Sequence, residues 1–327
     1  METIRVAAIG CGGFQTYRLS NLFKVPNVEV CALVDPVPTQ IDKIRAAYPE
    51  RLKDAVAFPD HQTMLKEAKP DAVMIATPHT THCDQVLDSL AAGVHTCCEK
   101  PLVTSIDDAH RVIAARDKAR KVGMVSYQRH YQAEFRWIKE RLASGKSGPI
   151  QFVQVLQGQP WLRLCAGTWR HEKALSGGGQ LNDSGSHVID IVLWVTGLKA
   201  ETVSANIENF HCEVDINSAV NIRFQGGALG SFNVVGNGYG FYEDITIFCE
   251  EEVFYMREGK LSVCDRGEHR FKAEHISGGS TPDQNFIDAI RGTAVCESPF
   301  ECGLEVIRLT EAAWQSAEKG GIPVSPR

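Results

Sequence analysis

The sequence contains neither a long uninterrupted apolar run nor a cluster of basic residues. A membrane-spanning helix needs about 18 or more consecutive apolar residues, and no segment of the 327-residue chain approaches that length. Lysine and arginine are scattered, and the formal net charge is −6, so neither a nucleic-acid surface nor an anionic membrane surface is indicated. These absences favour a soluble protein whose ligand is small and uncharged.

Paired cysteines are also missing, although cysteine itself is not rare. None of the eleven cysteines falls in a Cys-x-x-Cys pair, and their odd number does not fit a disulfide framework. A reduced cysteine among apolar strand residues behaves as a small hydrophobe. That is the setting of Cys11, Cys31, Cys97, Cys98 and Cys249. We therefore interpret the cysteines as packing residues.

A targeting segment is not evident at the amino terminus. The opening residues METIRVAAIG enter a strand pattern at once, which leaves no room for a basic region, an apolar run and a cleavage site. We therefore expect a cytoplasmic protein. With 43% hydrophobic and 23% charged residues, the composition is typical of a folded globular chain.

The length and the order of patterns predict two domains. A single hydrophobic core stops growing at roughly 250 to 300 residues, so the chain is long enough for a division. In the first part, helical patterns alternate with short apolar runs, namely IRVAAIG, VEVCALVD, DAVMIAT, VHTCCEK and GMVSY. This alternation predicts βαβ units and a parallel sheet covered on both faces. We expect a doubly wound, nucleotide-binding α/β domain over residues 1–125 and a second domain over residues 126–327.

A glycine-rich turn follows the first predicted strand directly and precedes a segment compatible with a helix. Its residues are Gly10, Cys11, Gly12, Gly13, Phe14 and Gln15. Gly10 allows the tight turn, and Gly12 lets the backbone approach a pyrophosphate at the helix N-terminus. Gln15 replaces the third glycine of the dinucleotide-binding pattern, so we expect a looser or re-angled helix that keeps the phosphate contact.

Asp35 ends the second predicted strand, twenty residues after Gln15. A carboxylate at this place accepts hydrogen bonds from the ribose hydroxyls of the adenosine. The next residues, Pro36, Val37 and Pro38, cannot bind a 2′-phosphate, and Asp35 would repel one. The sequence therefore predicts NAD rather than NADP as the cofactor.

Further motifs occur in the order found in one protein family. After GCGG and the strand-ending Asp35 come TPHTTH, EKP, YQRHY, GTWR and GGGQLNDSGSHVIDIVLWVTG. The tripeptide EKP alone is unspecific, but it ends the fifth predicted strand and precedes an Asp-x-x-x-His segment by about eighty residues. On these motifs the chain resembles the Gfo/Idh/MocA oxidoreductases over essentially its whole length.

The resemblance implies a Rossmann domain followed by an α+β domain on an open, largely antiparallel sheet, with the substrate between that sheet and the nicotinamide. The second half supports such a sheet independently, because it contains alternating strand patterns separated by turn signals. These patterns are ETVSANIENF, NSAVNIRFQ, LGSFNVVG, EDITIFCEE and EVFYMREGKLSVC, and a last helix is predicted over LEVIRLTEAAWQSAEKG. We also expect a homo-oligomer, a dimer or tetramer formed through the C-terminal sheet.

The segment GGGQLNDSGSHVIDIVLW carries Asp183, His187 and Asp190 at helical spacing. Three interpretations are open: a metal site, the polar start of a buried helix capped by Asp183, or a catalytic group. A metal needs three or four ligands, and no complementary His or Cys cluster is evident, so no metal is predicted. Capping explains Asp183 but not a histidine one turn later behind three glycines.

The catalytic interpretation fits oxidation of a secondary alcohol. His187 would remove the hydroxyl proton as general base, because a neutral imidazole titrates near working pH, and Asp183 would orient or support it. Lys100, at the carboxyl edge of the parallel sheet, would hydrogen-bond the hydroxyl and stabilise alkoxide charge. The resemblance gives the matching positions the same roles, and the first proton acceptor stays open between Lys100 and His187.

The resemblance also implies residues around the two ligands. It implies that the cofactor is lined by Thr77, Pro78, His82, Glu99 and Lys100, with Gln128, Trp169 and Arg170 reaching the nicotinamide end. For His82, a packed histidine at a helix start is the alternative. Besides Lys100, Asp183 and His187, the candidate substrate-pocket residues are Tyr127, Arg129, Trp161 and His171, for which a surface or packing role is the alternative.

The sequence thus predicts an NAD-dependent dehydrogenase that transfers a hydride between nicotinamide and a secondary alcohol of a sugar, polyol or cyclic alcohol. Two alternatives remain. One is a redox-neutral enzyme that uses bound NAD transiently to cleave a glycoside, and the other is a non-catalytic NAD-binding regulator. The presence of Lys100, Asp183 and His187 argues against the regulator.

Overall fold

The computed structural model of the protein describes residues 2–267, 270–272 and 280–327. The chain forms two compact units. Unit 1 comprises Met1–Val103, Asp107–Gln128 and Ser280–Gly303, and unit 2 comprises Thr104–Ile106, Arg129–Gly279 and Leu304–Arg327. The main run of unit 2 begins close to the predicted boundary at residue 126, whereas the return of Ser280–Gly303 to unit 1 has no counterpart in the prediction.

Unit 1 is built on a six-stranded sheet in which every pairing is parallel. Its strands are β1 (Ile4–Ile9), β2 (Val28–Val34), β3 (Val56–Phe58), β4 (Ala72–Ile75), β5 (His95–Cys98) and β6 (Gly123–Val125). Their order is β3-β2-β1-β4-β5-β6. The order reverses between β1 and β4, as in doubly wound dinucleotide-binding sheets. The predicted fold of the first half is confirmed.

Two of the helices of unit 1 begin with a side-chain cap. The helices of this unit are α1 (Gly13–Leu22), α2 (Pro38–Ala47), α3 (His61–Glu67), α4 (His82–Ala91), α5 (Ile106–Ala119) and, after the return of the chain, α10 (Pro282–Ile290). Asp60 caps α3 by accepting from Thr63 N. Thr281 caps α10 in the same way, with Pro282 in the first turn, a position that tolerates proline because no helical N–H bond is lost.

Unit 2 is built on an eight-stranded sheet. Its strands are β7 (Ile150–Gly158), β8 (Ala200–Glu208), β9 (Asn217–Phe224), β10 (Leu229–Val235), β11 (Tyr242–Cys249), β12 (Glu252–Arg257), β13 (Lys260–Asp265) and β14 (Arg270–Lys272). The order is β14-β13-β12-β11-β7-β10-β9-β8. Only β7 and β10 pair in parallel among these strands. The predicted open, largely antiparallel sheet is confirmed.

Alternating burial shows why these segments form a sheet with one covered face. In β9 every second residue is buried, from Ser218 to Phe224, as the two-residue period of a half-buried strand requires. The helices of this unit are α6 (Ala133–Ala143), α7 (Trp161–Leu164), α8 (Lys173–Ser176), α9 (Gly185–Thr196) and α11 (Phe300–Glu318). Helix α11 covers the predicted last helix, begins four residues before it, and starts within unit 1.

Helix α9 belongs to the core rather than to the surface. Eight of its twelve residues are buried, from Gly185 to Val195, so the helix is apolar on most of its circumference, as expected for a helix inside a domain. Among the described residues, no helix combines the length and apolarity needed to cross a membrane.

Candidate active site

The turn between β1 and α1 has a backbone that its glycines make possible. Gly10 has φ +85°, and a Cβ there would lie 2.5 Å from Ala76 O, so a side chain is excluded by both conformation and space. At Gly12 and Gly13 the situation is reversed, because a Cβ would meet no protein atom within 4 Å. Open backbone at a helix N-terminus fits a pyrophosphate group.

Gln15 lies in the first turn of α1 and is fully buried. Neither polar atom of its side chain has a hydrogen-bond partner within the described part of the chain. A buried amide left unpaired costs about 1–3 kcal/mol, so the side chain fits a place where a polar cofactor supplies the bond. Helix α1 runs unbroken from Gly13 to Leu22 without the third glycine, and Phe14 beside it is 45% exposed.

Asp35 is bonded to the glycine turn. Its Oδ2 accepts from Cys11 N at 2.9 Å, and its Oδ1 accepts from Val37 N at 2.9 Å. The side chain is half-buried, and each carboxylate oxygen has a second lone pair, so Asp35 can still accept from ribose hydroxyls. Holding the turn is a further role of Asp35 that the sequence did not predict.

His82, in the first turn of α4, connects the chain segments that follow β4 and β5. Its Nδ1 lies 2.9 Å from Pro101 O and its Nε2 lies 3.0 Å from Thr77 O. Burial lowers the pKa of His82, so the neutral ring donates to one carbonyl at a time. The structure therefore favours the packed alternative for His82 over direct contact with a cofactor. Thr77 and Pro78, which precede it, are half-buried.

Glu99 is not on the surface of the sheet edge but inside a buried ion cluster. Its Oε1 lies 3.2 Å from Arg18 Nη1, and its Oε2 accepts from Lys100 N at 3.3 Å. Burial raises the pKa of Glu99, and the Arg18 guanidinium partly offsets that rise. Arg18 also donates to Asp283 Oδ1 at 2.6 Å. The sequence missed Arg18 and Asp283, since the only signal was a charged residue on the buried face of α1.

Lys100 follows β5 directly and is half-buried. Its peptide bond to Pro101 is cis. Tyr127 and Gln128 follow β6, at the same edge of the parallel sheet. Tyr127 is only 1% exposed, whereas Gln128 is exposed. Unit 1 thus brings Thr77, Lys100 and Gln128 to the carboxyl ends of neighbouring strands, where sheets of this kind bind ligands.

Asp183 is buried in the turn before α9, and its carboxylate is held by two side chains. Oδ2 accepts from Trp161 Nε1 at 3.0 Å and from Arg170 Nε at 2.9 Å. The residue that precedes α9 is Ser184, whose side chain forms no capping hydrogen bond. The carboxylate of Asp183 therefore connects the turn before α9 to side chains of two other segments.

His187 lies in the first turn of α9 and is half-buried. Its backbone N donates to Ser184 O at 3.2 Å, and Asp183 N donates to Gly179 O at 2.9 Å. Asp183 thus belongs to the turn and His187 to the helix, whereas the sequence predicted one helix for both. The two residues remain in consecutive turns, with a buried carboxylate four residues before the imidazole.

Asp190, the third polar residue of the segment, has a separate partner. Its Oδ2 lies 2.8 Å from His130 Nε2, and both side chains are almost fully buried. The His130 ring stacks on Trp194 at 4.3 Å between centroids. Burial raises the pKa of Asp190, which His130 partly counteracts. This pair packs α9 against the segment before α6, and His130 is a buried histidine that the sequence analysis did not single out.

Four of the predicted ligand-binding residues in unit 2 are gathered near Asp183. Trp161 and Arg170 bond to its carboxylate. The Trp161 ring lies 5.2 Å from the His171 ring, and Arg170 Cζ lies 4.5 Å from the centre of Trp169. Burial lowers the pKa of His171, which favours its neutral form.

Arg129 is placed differently from these four. Its guanidinium pairs with both carboxylate oxygens of Glu243, at 2.6 and 2.7 Å. Glu243 Oε2 also accepts from Gln157 Nε2 at 3.2 Å. Arg129 therefore belongs to a polar network on β7 and β11 that the sequence could not predict, because its members come from distant strands.

Two family models match the two halves of the chain. Residues 4–127 match the family model described as an oxidoreductase family with an NAD-binding Rossmann fold. Residues 135–255 match the model of the GFO/IDH/MocA C-terminal domain. The first match covers the glycine turn, Asp35 and Lys100, and the second covers Asp183 and His187. The two matched regions correspond to the parallel sheet and to most of the second sheet.

Individual relatives are dehydrogenases. The chain is 30% identical over 275 residues to an inositol 2-dehydrogenase of Rubrobacter xylanophilus, covering 81% of this chain and 75% of the relative. It is 31% identical over 215 residues to a D-glucoside 3-dehydrogenase of Escherichia coli, covering 63% of this chain and 58% of the relative.

A solved structure is similar over nearly the whole chain. It is the WlbA dehydrogenase of Chromobacterium violaceum in complex with NADH and UDP-GlcNAcA, with a TM-score of 0.87 and 26% identity. The match covers 99% of this chain and 96% of that one. On the family models and the inositol dehydrogenase relative, the chain belongs to the Gfo/Idh/MocA family of oxidoreductases, and its first domain is an NAD-binding Rossmann domain.

Proposed function

We propose that the protein is an NAD-dependent dehydrogenase that oxidises a secondary alcohol of a sugar, polyol or cyclic alcohol. The observation that carries the proposal is the arrangement in unit 2, where Asp183 is held by Trp161 and Arg170 one turn before His187. Relatives that act on inositol and on a D-glucoside support the substrate class. When bound, NAD supplies the hydride acceptor.

Residues of the chain bind the two ligands and move the proton. The glycine turn and Gln15 bind the pyrophosphate, and Asp35 binds the adenosine ribose. His187 takes the hydroxyl proton as general base, which a neutral imidazole does efficiently near neutral pH. Asp183, buried and held by two donors, orients the imidazole, and Lys100 donates a hydrogen bond to the substrate oxygen as its negative charge develops.

Further residues shape the two ligand sites in this proposal. Around the cofactor lie Gly13, Phe14, Thr77, Pro78, Gln128, Trp169 and Arg170, while Glu99 and His82 act behind them. Around the substrate lie Tyr127, Arg129, Trp161 and His171. The Trp161 and His171 rings lie 5.2 Å apart beside Asp183, and aromatic rings together with charged groups suit the mixed apolar and hydroxylated surface of a sugar.

The testing experiment follows NADH absorbance with purified protein and NAD over a panel of myo-inositol, D-glucose, methyl D-glucoside and D-gluconate. Time-dependent NADH formation with at least one of them, lost in His187→Ala, is the expected result. Parallel assays with a chelator should give the same rate, because no metal has a role in the proposal. Absence of NADH formation with every compound contradicts it.

The same panel separates the two alternatives. A redox-neutral glycoside-cleaving enzyme would release methanol and glucose from the methyl glucoside without net NADH. A regulator would bind NAD in a titration and convert none of the compounds. Product analysis by NMR, run beside the absorbance assay, therefore assigns each outcome to one of the three functions.

We further propose a cytoplasmic location and a homo-oligomer, a dimer or tetramer formed through the second sheet. All eleven cysteines are free, as is usual in a reducing compartment. The second sheet has a face of exposed residues, alternating with buried ones along β9. Light scattering on the purified protein tests the oligomer, and fractionation of the source cells tests the location.

A further inference from the structure

A single residue, Asp215, binds three consecutive backbone N–H groups of the segment that leads to Asp183. We call residues 177–181 the glycine segment. Oδ1 of Asp215 accepts from Gly179 N at 2.9 Å, and Oδ2 accepts from Leu181 N at 2.7 Å. Between them, Gln180 N donates to the backbone oxygen of Asp215 at 2.9 Å.

Asp215 is itself fixed in place. It lies two residues before β9, is 5% exposed, and its Oδ1 also accepts from Trp314 Nε1 of α11 at 2.9 Å. Hydrogen bonds to an ionised, buried carboxylate are shorter and stronger than bonds between neutral groups. The two N–H groups and the indole N–H therefore compensate the buried charge and bind the glycine segment firmly.

This contact explains why the segment contains three glycines. A Cβ at Gly179 would overlap the backbone oxygen of Asp215, and a Cβ at Gly178 would overlap the Trp314 ring. Gly177 has φ +69°, a conformation that other residues rarely adopt. The glycines therefore allow the backbone to approach Asp215 and Trp314, which is a role separate from any contact with a ligand.

The glycine segment in turn determines where the proposed catalytic residues lie. Asp183 N donates to Gly179 O at 2.9 Å, and Gly185 N donates to Gln180 O at 2.8 Å. Two peptide groups, 179–180 and 180–181, thus make both sets of contacts. Their carbonyls accept from the turn with Asp183 and from the start of α9, and their N–H groups donate to Asp215. A shift of the segment would move Asp183 and His187 with it.

We propose that Asp215 is a positioning residue that holds Asp183 and His187 in catalytic geometry through the glycine segment. The inference rests on the proposed dehydrogenase function and extends it to a residue outside the reacting groups. Misplacement of a catalytic group by about 1 Å can cost about a hundredfold in rate. Loss of the hydrogen bonds to Asp215 should therefore lower kcat more strongly than it weakens cofactor binding.

The testing variant is Asp215→Asn, which keeps the shape but replaces one acceptor oxygen by an NH₂ group facing an N–H donor. With the panel compound that the wild-type protein oxidises fastest, kcat should fall by about ten- to a hundredfold. The KM for NAD should stay within about twofold, because the residues proposed to bind its pyrophosphate and adenosine ribose belong to unit 1, whereas the glycine segment belongs to unit 2. If this variant does not fold, Trp314→Phe removes one donor while keeping a ring, and kcat should then fall by about two- to fivefold.

A matched control is Glu252→Gln. Glu252 is an equally buried carboxylate of the same unit, 6% exposed, and it is held by Arg141 and by Ser147 Oγ rather than by the glycine segment. Its loss should lower thermal stability and leave kcat of the folded protein unchanged. An equal loss of kcat in Glu252→Gln and Asp215→Asn would make the effect one of general destabilisation and overturn the proposal.

A measurement independent of catalysis separates this inference from the proposed function. Amide hydrogen exchange at residues 179 and 181 should be about tenfold or more faster in Asp215→Asn than in the wild type, and unchanged in Glu252→Gln. If the wild type oxidises no panel compound, the proposed function fails, while the exchange result still decides whether Asp215 holds the segment. Unchanged exchange, or a folded Asp215→Asn with wild-type kcat, overturns the inference.

Discussion

Arg18 Nη1 lies 3.2 Å from Glu99 Oε1, which joins the helix behind the glycine turn to the residue directly before Lys100. Nη2 of the same guanidinium lies 2.6 Å from Asp283 Oδ1, at the start of α10. All three residues are at most 5% exposed. A cation between two carboxylates, out of contact with water, fixes the spacing of the elements that carry them. Within unit 1, the ion cluster around Arg18 thus holds both the helix that follows the glycine turn and the residue before Lys100.

The first prediction concerns the cost of removing this cation. Arg18→Met leaves Glu99 and Asp283 buried without compensation, and the free energy of unfolding should fall by about 3–5 kcal/mol. Urea unfolding followed by circular dichroism measures it. The control Arg111→Met removes an exposed pair with Asp108 on α5 and should change stability by less than about 0.5 kcal/mol. Similar effects of the two substitutions would contradict the prediction.

This cluster marks the limit of what sequence predicts about unit 1. The parallel sheet could be predicted because strand and helix patterns are local, and so could the glycine turn and the place of Asp35 directly after β2. The partners of Arg18 lie directly after β5 and on α10, far along the chain. Local periodicity contains no information about such pairings. For the same reason, the sequence did not predict that Ser280–Gly303 returns to unit 1.

The second prediction concerns the choice between the two dinucleotides. NAD should bind at least about tenfold more tightly than NADP, or about 1.4 kcal/mol, because Asp35 repels a 2′-phosphate. Asp35→Ser with Pro36→Arg should shift the preference toward NADP. NAD binding to this variant should also weaken, since Asp35 holds Cys11 N and Val37 N. Titration of intrinsic fluorescence measures all four affinities, and equal wild-type affinities would refute the role of Asp35.

In unit 2, sequence spacing identified the Asp183 and His187 pair but not what supports it. Residue spacing is a local signal, so their place in consecutive turns could be predicted, although Asp183 precedes the helix. The donors to Asp183 come from α7 and the turn around Arg170, and those segments have no periodic relation to α9. The triple glycine was visible in the sequence, yet the residues that approach it closely, Asp215 and Trp314, lie far along the chain and carry no local signal of that contact.

The third prediction is that turnover and NAD binding separate on mutation. Lys100→Met and His187→Ala should each reduce turnover by about two or more orders of magnitude, the scale for losing a positioned acid-base group. NAD affinity should fall little in His187→Ala and moderately in Lys100→Met. The double variant should be scarcely slower than the slower single one, because groups that act as a unit are not additive.

A matched control for this set is His110→Ala, which removes an exposed histidine of α5 and should leave turnover unchanged. Single-turnover hydride transfer, measured beside NAD titration, distinguishes the chemical step from binding. A His187→Ala protein that transfers hydride at nearly the wild-type rate would make His187 a packing residue of α9 and refute the assignment of the general base.

The fourth prediction is a loss of stability in mild acid that depends on His95, the first residue of β5. Its Nδ1 accepts from Val122 N at 3.0 Å, and burial together with Lys121 lowers the pKa of His95 from 6.5 to about 4. Between these pH values the unfolded chain binds a proton that the folded protein does not. The stability that neutral His95 contributes is therefore complete above pH 6.5 and is lost as the pH falls toward 4.

The variant His95→Asn tests this, because it keeps an acceptor oxygen but cannot titrate. From pH 7 to pH 5, the wild type should therefore lose about 1 kcal/mol or more of unfolding free energy beyond the loss in His95→Asn. Urea unfolding of both proteins at the two pH values measures the difference, and parallel losses would show that His95 titrates normally in the folded protein.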